Sequence, residues 1–446
     1  MQLPQAFKDS INNQLGPESN AFFDSLAIPS PISIRANPRK WKNLAGTHVP
    51  WSEYGYYLAT RPSFTFDPLF HAGCYYVQEA SSMLLEQAVK QSIDLAKPIT
   101  VLDLCAAPGG KSTHLLSLIS NQSLLVSNEV IRARAAILSE NITKWGYGNS
   151  VVTNNDPADF EQLAGIFDLI VVDAPCSGEG MFRKDAQAVS EWSDEHVRHC
   201  AQRQQRILAD VWPALKENGI LIYSTCTYNE IENEQNLLWL AQQSEVEFKR
   251  LKLDASWGVQ EVENLNVIGY RCYPHRVTGE GFFLSVIQKK QTQPQKNYRL
   301  RDVLPLANKK TVESLAPWMI NSNHELLQLG EMIIGIPHLY HQEINILTQC
   351  LNTTLRGTAI ATEKQNKFVP EHAWALSVEL NQGNFLSIDL SLEEAIAFLK
   401  KEPIQVGEGL KGFALATYQQ VPLGWMNLLG NRINNLYPSA WRILKK

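Results

Sequence analysis

The sequence predicts an α/β chain built round a doubly wound domain, and three features carry that prediction. Continuous apolar runs of strand length recur between residues 99 and 288, as expected of a parallel sheet covered on both faces. Amphipathic helical stretches alternate with them. Acidic, glycine and thiol residues gather just past the runs, where open α/β sheets bind ligands. In order, the strands are ITVLDLC (99–105), LLVSNE (124–129), SVVTNND (150–156), FDLIVVDAPC (167–176) and GILIYSTC (219–226). GFFLSVIQ (281–288) closes the sheet after the turn-rich RVTGEG. Between the second and third, Ile131, Ala135, Leu138, Ile142 and Trp145 form one helical stripe, which Gly146 ends. A longer helix is expected from about Asp194 to Glu217. Another is expected from Asn229, where Asn229 with Glu232 fits a capping arrangement.

The flanks read differently. Residues 1–70, rich in aromatics and proline, form an N-terminal α+β region that precedes the domain at 71–290. A basic, Gln-rich stretch near 289–300 reads as a linker, and 291–368 mixes short helices and strands. Residues 369–446 read as strand ALSVEL (375–380), strand FLSIDL (385–390), a helix capped by Ser391 with Glu394, then strands and turns from Gly412 to Tyr437. That is a small α+β module rather than a second enzyme core.

At 446 residues, 44% hydrophobic and 19% charged, the chain is globular and buries a core without disulfides. Its seven cysteines are odd in number and scattered, so a reducing, cytoplasmic setting is expected; a monomer is expected as well. The start MQLPQAFKDS lacks a basic segment followed by an apolar run, and no stretch approaches a membrane span. The net charge of −5 argues against a nucleic-acid binder on average. Two acid-poor segments soften that reading. Residues 288–310 carry Lys289, Lys290, Lys296, Arg299, Arg301, Lys309 and Lys310 against Asp302 alone, and 431–446 carry Arg432, Arg442, Lys445 and Lys446. They permit a polyanionic partner; a solvated linker and a tail explain them as readily.

The first strand ends in Asp103-Leu-Cys105-Ala106-Ala107-Pro108-Gly109-Gly110-Lys111-Ser112, a glycine turn whose backbone can approach a ligand closely. A phosphate loop is disfavoured because Cys105 stands where that motif needs its first glycine. Glu129, nineteen residues past Gly110, suits ribose hydroxyls, and Asp156 suits an adenine amino group. Capping of the following helix is the plainer role for such acids. Asp173-Ala-Pro-Cys176 and Ser224-Thr-Cys226 then place two thiols at adjacent strand ends. Each alone reads as a buried small hydrophobe, but a helix start nearby raises thiolate character. Zinc is a rival explanation without a CxxC pair. His196, His199 and Cys200 have ligand spacing yet read as a helix surface. These residues by themselves do not rank the two thiols.

Taken together, DLCAAPGGKS, NE at 128–129, DAPCSGEGMFRK and YSTCTYNEIENE resemble the RNA cytosine-C5 methyltransferases of the NOL1/NOP2/Sun family, over residues 70–290. QEASSM (78–83) and the terminal NNLYP resemble its RsmF branch, which modifies small-subunit ribosomal RNA. The resemblance implies a Rossmann-like class I methyltransferase domain and C-terminal modules ending in a PUA-like domain. It implies S-adenosyl-L-methionine held by Cys105–Lys111, Glu129 and Asp156, with Asp173 between cofactor and base. It makes Cys226 the nucleophile and Cys176 the residue that assists release. Ser112 for the family's threonine is expected to matter little, and Arg183 and Lys184 are candidates for flanking phosphates, with a solvated charge pair the equal alternative. The implied partner is ribosomal RNA or the small subunit. Transfer RNA is the alternative substrate, and a non-catalytic assembly factor the alternative class; the intact catalytic set favours the enzyme.

Overall fold

The computed structural model describes residues 3–41, 46–292, 298, 301–321, 324–365, 367–405 and 409–445. Its N-terminal sheet is antiparallel and made of β1 (Ile32–Ala36), β2 (Thr47–His48), β3 (Gly55–Leu58) and β4 (Tyr75–Val77). The central sheet follows, with β5 (Thr100–Asp103), β6 (Leu124–Asn128), β7 (Ser150–Thr153), β8 (Phe167–Asp173) and β9 (Leu215–Thr225) in parallel. It is extended by β10 (Val246–Phe248), β11 (Gln260–Asn264), β12 (Val267–Cys272) and β13 (Phe282–Lys289), the last antiparallel to β9. Then come β14 (His324–Leu329), β15 (Met332–Pro337), β16 (Thr353–Arg356), β17 (Thr358–Lys364) and β18 (Lys367–Pro370). Four of these form one sheet, β14-β15-β17-β18, whereas β16 leaves it to pair with β7. The last sheet is β19 (Leu386–Asp389), β20 (Lys411–Tyr418), β21 (Val421–Leu429) and β22 (Ile433–Asn435).

In the central sheet the order is β11-β12-β13-β9-β8-β5-β6-β7-β16. Chain order reverses between β5 and β8, which opens a crevice at their carboxyl ends. The apolar runs of these strands are buried on both faces. Leu102, Val126, Ile170 and Val172 pack under the helices Asp194–Val211 and Glu234–Gln243. Val101, Leu125, Leu169 and Val171 pack under Gly110–Leu118 and Arg132–Trp145. This is the α/β fold the sequence predicts.

Several elements differ from expectation. Ile131 stands outside the helical stripe, half exposed, because the helix begins one residue later and turns it to solvent. The long helix ends at Val211 rather than Glu217, since Pro213 has no N–H to continue the ladder, and β9 starts already at Leu215. The helix expected from Asn229 begins at Glu234, because Glu232 turns its carboxylate to Ser177 instead of capping. ALSVEL is not a strand. His372–Ala375 is a short helix, and Val378 donates its N–H to the Gly146 carbonyl of the central domain. Ser391 does cap Leu392–Lys400, in a reciprocal box with Glu394.

The C-terminal parts are fused to the central domain by apolar clusters. Leu327, Ile336, Tyr340 and Leu347 share a core with Leu124, Phe160 and Trp212. Phe398, Leu399 and Tyr437 share one with Leu69 and Tyr75.

Candidate active site

The two thiols predicted to share a cleft are in contact. Cys176 Sγ lies 3.1 Å from Cys226 Sγ, each on the loop after its strand. The Cys226 sulfur, burial and the charge of Glu232 together hold the Cys176 thiol well above the ordinary thiol range. The loops interlock: Gly180 donates its N–H to the Cys226 carbonyl at 2.8 Å. A Cβ on Gly180 would stand 2.5 Å from the Gly281 oxygen, so only glycine allows that approach. Behind the loops, Phe7, Ile11 and Phe22 of the N-terminal helices pack on Phe182, Trp192, Tyr228 and Tyr273.

Asp173 ends β8. One of its oxygens accepts from Ser224 Oγ at 2.8 Å, and the other pairs with Lys111 Nζ at 2.6 Å. The lysine of the glycine loop therefore reaches the acid of the thiol loop, a meeting that residue spacing does not reveal.

The glycine loop forms one wall of a cleft of about 210 Å³, with Cys105, Ala106, Ala107, Pro108, Gly110 and Lys111 facing Tyr76, Gln78 and Asp173. Gly109 adopts φ 116, a left-handed conformation open to glycine, and it initiates the helix Gly110–Leu118. Burial pushes the Cys105 thiol well up, so it stays neutral and serves as wall. Below the loop, Asp103 is wholly buried, and burial raises its carboxyl to about 7. Its one hydrogen-bonded oxygen accepts from Ser112 at 2.6 Å. Ser112 thus acts through its side-chain hydroxyl, a group that a threonine at this position would also carry.

Glu129, at the end of β6, is buried; it accepts from Ile131 N–H at 2.9 Å and pairs with Arg134 at 3.3 Å. Arg134 also donates to the Ala107 carbonyl at 2.8 Å, bridging acid and glycine loop. Asp156 is partly exposed. It caps Pro157–Leu163 and pairs with Arg206, which lowers its pKa. Both the expected acid and the plainer capping role are thus present at one residue.

Two expectations fail here. Arg183 is buried against Glu280 at 3.0 Å and donates to the Gly279 carbonyl, so it faces no phosphate; Lys184 approaches the same Glu280. In the basic stretch, Lys289 is buried and donates to the Trp212 and Leu215 carbonyls, while Lys290 pairs with Glu247. Lys296, Arg299 and Lys446 lie outside the described residues. Sequence reasoning also passed over Glu179 and took Glu232 for a capping acid, although both stand inside quoted motifs.

Three family models match the chain in succession. They are the N-terminal domain of 16S rRNA methyltransferase RsmF (residues 3–80), 16S rRNA methyltransferase RsmB/F (91–288) and the methyltransferase RsmF PUA domain (385–443). The ribosomal RNA small subunit methyltransferase F of Pectobacterium atrosepticum is 30% identical, covering 98% of this chain and 95% of its own. The protein of that name from Shewanella loihica is 29% identical over the same shares. Among solved structures, a methyltransferase homolog protein from Pyrococcus horikoshii is 28% identical, with TM-score 0.55 over 64% of this chain and 95% of its own. NSun6 from Pyrococcus horikoshii, solved with SFG, shares the fold at 18% identity, with TM-score 0.54 over 65% of this chain and 99% of its own.

Proposed function

Since this chain belongs to the RsmF group of the RsmB/F family of 16S rRNA methyltransferases, we propose that it uses S-adenosylmethionine to form 5-methylcytosine in small-subunit ribosomal RNA, through a covalent adduct on Cys226. The observation that carries this reading is the pair of sulfurs at 3.1 Å beside the Lys111–Asp173 ion pair.

The glycine-loop cleft, together with the acids at the ends of β6 and β7, fits the cofactor by its donor set. A buried carboxylate at the end of β6 suits a ribose diol, and the glycine loop leaves room for an amino-acid end close to the backbone. Cys105–Lys111, Glu129 and Asp156 would hold it, with Asp173 at the border between cofactor and base. When bound, S-adenosylmethionine supplies an electrophilic methyl group.

The chain's own residues do the rest. Cytosine C5 is a weak nucleophile until C6 carries an added group, and a thiolate is the natural one. Cys226 adds at C6. Cys176 stays protonated beside it, so it can donate to the Cys226 sulfur and give that sulfur its proton as the adduct is released, while water takes the C5 proton and returns one to Cys176. That removal lets the C6–S bond break and returns the base to aromaticity. Asp173 and the Lys111 ammonium present a polar, proton-bearing pair to the N3 edge, where negative charge develops. Reaching this cleft requires the base to leave its stack.

The test is methyl transfer to 16S rRNA from a strain lacking the gene, read by bisulfite sequencing. Cys226→Ala should abolish transfer and form no adduct. Cys176→Ala should accumulate a protein–RNA complex that survives denaturing gels. An adduct in the Cys226 variant would reverse the two roles, and methylation at a non-cytosine base would remove the reading.

A further inference from the structure

Each thiol loop carries a buried carboxylate that is spent on the other loop. Glu179, three residues past Cys176, accepts from the Tyr228 N–H at 3.1 Å and from Asn229 Nδ2 at 3.2 Å, both on the Cys226 loop. Trp192 Nε1 also donates to it at 3.0 Å. Glu232, six residues past Cys226, accepts from the Ser177 N–H at 2.8 Å and the Ser177 hydroxyl at 2.5 Å, both on the Cys176 loop. Gln204 donates to it at 3.1 Å. The exposures are 2% and 0%. No cation pairs with either among the described residues: every partner is a neutral N–H or O–H.

Burying two carboxylates on neutral donors is costly, and an apolar pair of the same volume would stabilise a loop junction better. Burial accordingly raises both acids, Glu179 to about 7. The arrangement brings something packing does not: charge-assisted hydrogen bonds that fix backbone N–H groups on both sides of the sulfur contact. Gly180 N–H to the Cys226 carbonyl and the Ser177–Thr227 hydroxyl contact at 3.2 Å lie in the same seam.

We propose that Glu179 and Glu232 are positioning residues, a reciprocal carboxylate latch that holds the Cys176 and Cys226 sulfurs within proton-transfer distance. The proposal rests on the reading in which these two thiols act together. Neither acid touches substrate or cofactor; each acts through the loop it grips.

The sulfur contact can be read without RNA. Diamide takes one hydrogen from each thiol, is reduced to the hydrazine, and leaves a Cys176–Cys226 disulfide, measurable as a mass loss and as a protected peptide pair. In the full-length protein, Glu179→Gln and Glu232→Gln should slow this closure by about tenfold to a hundredfold, the scale of a misplacement near 1 Å, with S-adenosylmethionine affinity unchanged. In a Cys176→Ala background the same substitutions should slow adduct formation on 16S rRNA to a like extent. If a glutamine variant does not fold, Ser177→Ala and Asn229→Ala, which each remove one donor and keep the carboxylate, carry the same measurement and should slow closure to a smaller degree.

Native disulfide rates in folded variants would overturn the latch. Equal loss of cofactor affinity would also overturn it, by showing a general loosening rather than a local one. If Cys176→Ala alone gives no adduct while the disulfide rates fall as expected, the latch stands and the covalent chemistry proposed above fails instead.

Discussion

Glu129 and Asp156 look equivalent as acids at strand ends, but their surroundings separate them. Glu129 is buried, takes a backbone N–H and shares Arg134 with the glycine loop. On the proposed reading, removing it leaves the ribose diol without its acceptor and Arg134 with the Ala107 carbonyl alone, so Glu129→Ala should cost about 1–3 kcal/mol of cofactor binding, tenfold or more in Kd by calorimetry. Asp156 divides its carboxylate between a helix cap and Arg206. Asp156→Ala should therefore weaken binding and also lower thermal stability, by the ~1 kcal/mol of a lost cap. Arg206→Ala, which frees the carboxylate, should leave affinity intact or raise it. Unchanged affinity in both acid variants would place the nucleoside elsewhere. At this scale the quoted motifs were legible one by one. The meeting of Lys111 with Asp173 was not, because the two residues sit on loops that only the sheet order brings together.

Strand β16 shows what an element can do far from its own neighbours in sequence. It belongs to the region after residue 290, yet it pairs antiparallel with β7 and covers the sheet edge beside the strand that leads into Asp156. At the junction Asn155 accepts from the Asn352 N–H at 3.0 Å and donates to the Asn352 carbonyl at 3.1 Å, and Asn154 donates its N–H to that carbonyl at 2.9 Å. Asp156 is the next residue. Asn155→Ala leaves the Asn352 N–H without its acceptor, so stability should fall by about 1–3 kcal/mol. Cofactor affinity should fall with it, through the displaced Asp156 loop. Calorimetry and a melting curve read the two effects; a native melting temperature would show that β16 docks without this tether.

For the whole molecule, the interlocked cores decide what can be removed. Reading residues near 290 as a linker suggests that a chain cut there keeps its cofactor site. The structure argues the opposite. A cut at 290 strips Leu327, Ile336, Tyr340 and Leu347 from the face of Leu124, Phe160 and Trp212, and unpairs β7. An uncovered strand edge and apolar face favour aggregation. Residues 1–290 should elute as aggregate or bind S-adenosylmethionine far more weakly than the full chain; a monomer with native affinity would refute this. Wider RNA contact is better probed by charge reversal in the full chain. Arg301, Arg432, Arg442 and Lys445 are exposed and suited to it, whereas Lys289 is committed to the core.

The sequence by itself determined the α/β class, the positions of the parallel strands of the central sheet and the chemical identity of the strand-end residues. Apolar runs with polar ends are local, and burial on two faces demands them. The helix capped by Ser391 was legible for the same reason: a reciprocal hydrogen bond three residues apart needs nothing beyond its own turn. Only the tertiary structure decided which groups meet. Glu232 reads locally as a capping acid and is drawn instead to Ser177 on another loop. Arg183 reads as a phosphate ligand and is drawn to Glu280. Lys289 reads as a solvated linker charge and is buried under Trp212. Polar and charged side chains take the partner that burial leaves within reach, and which partner that is depends on strand order and loop convergence, which no local pattern encodes.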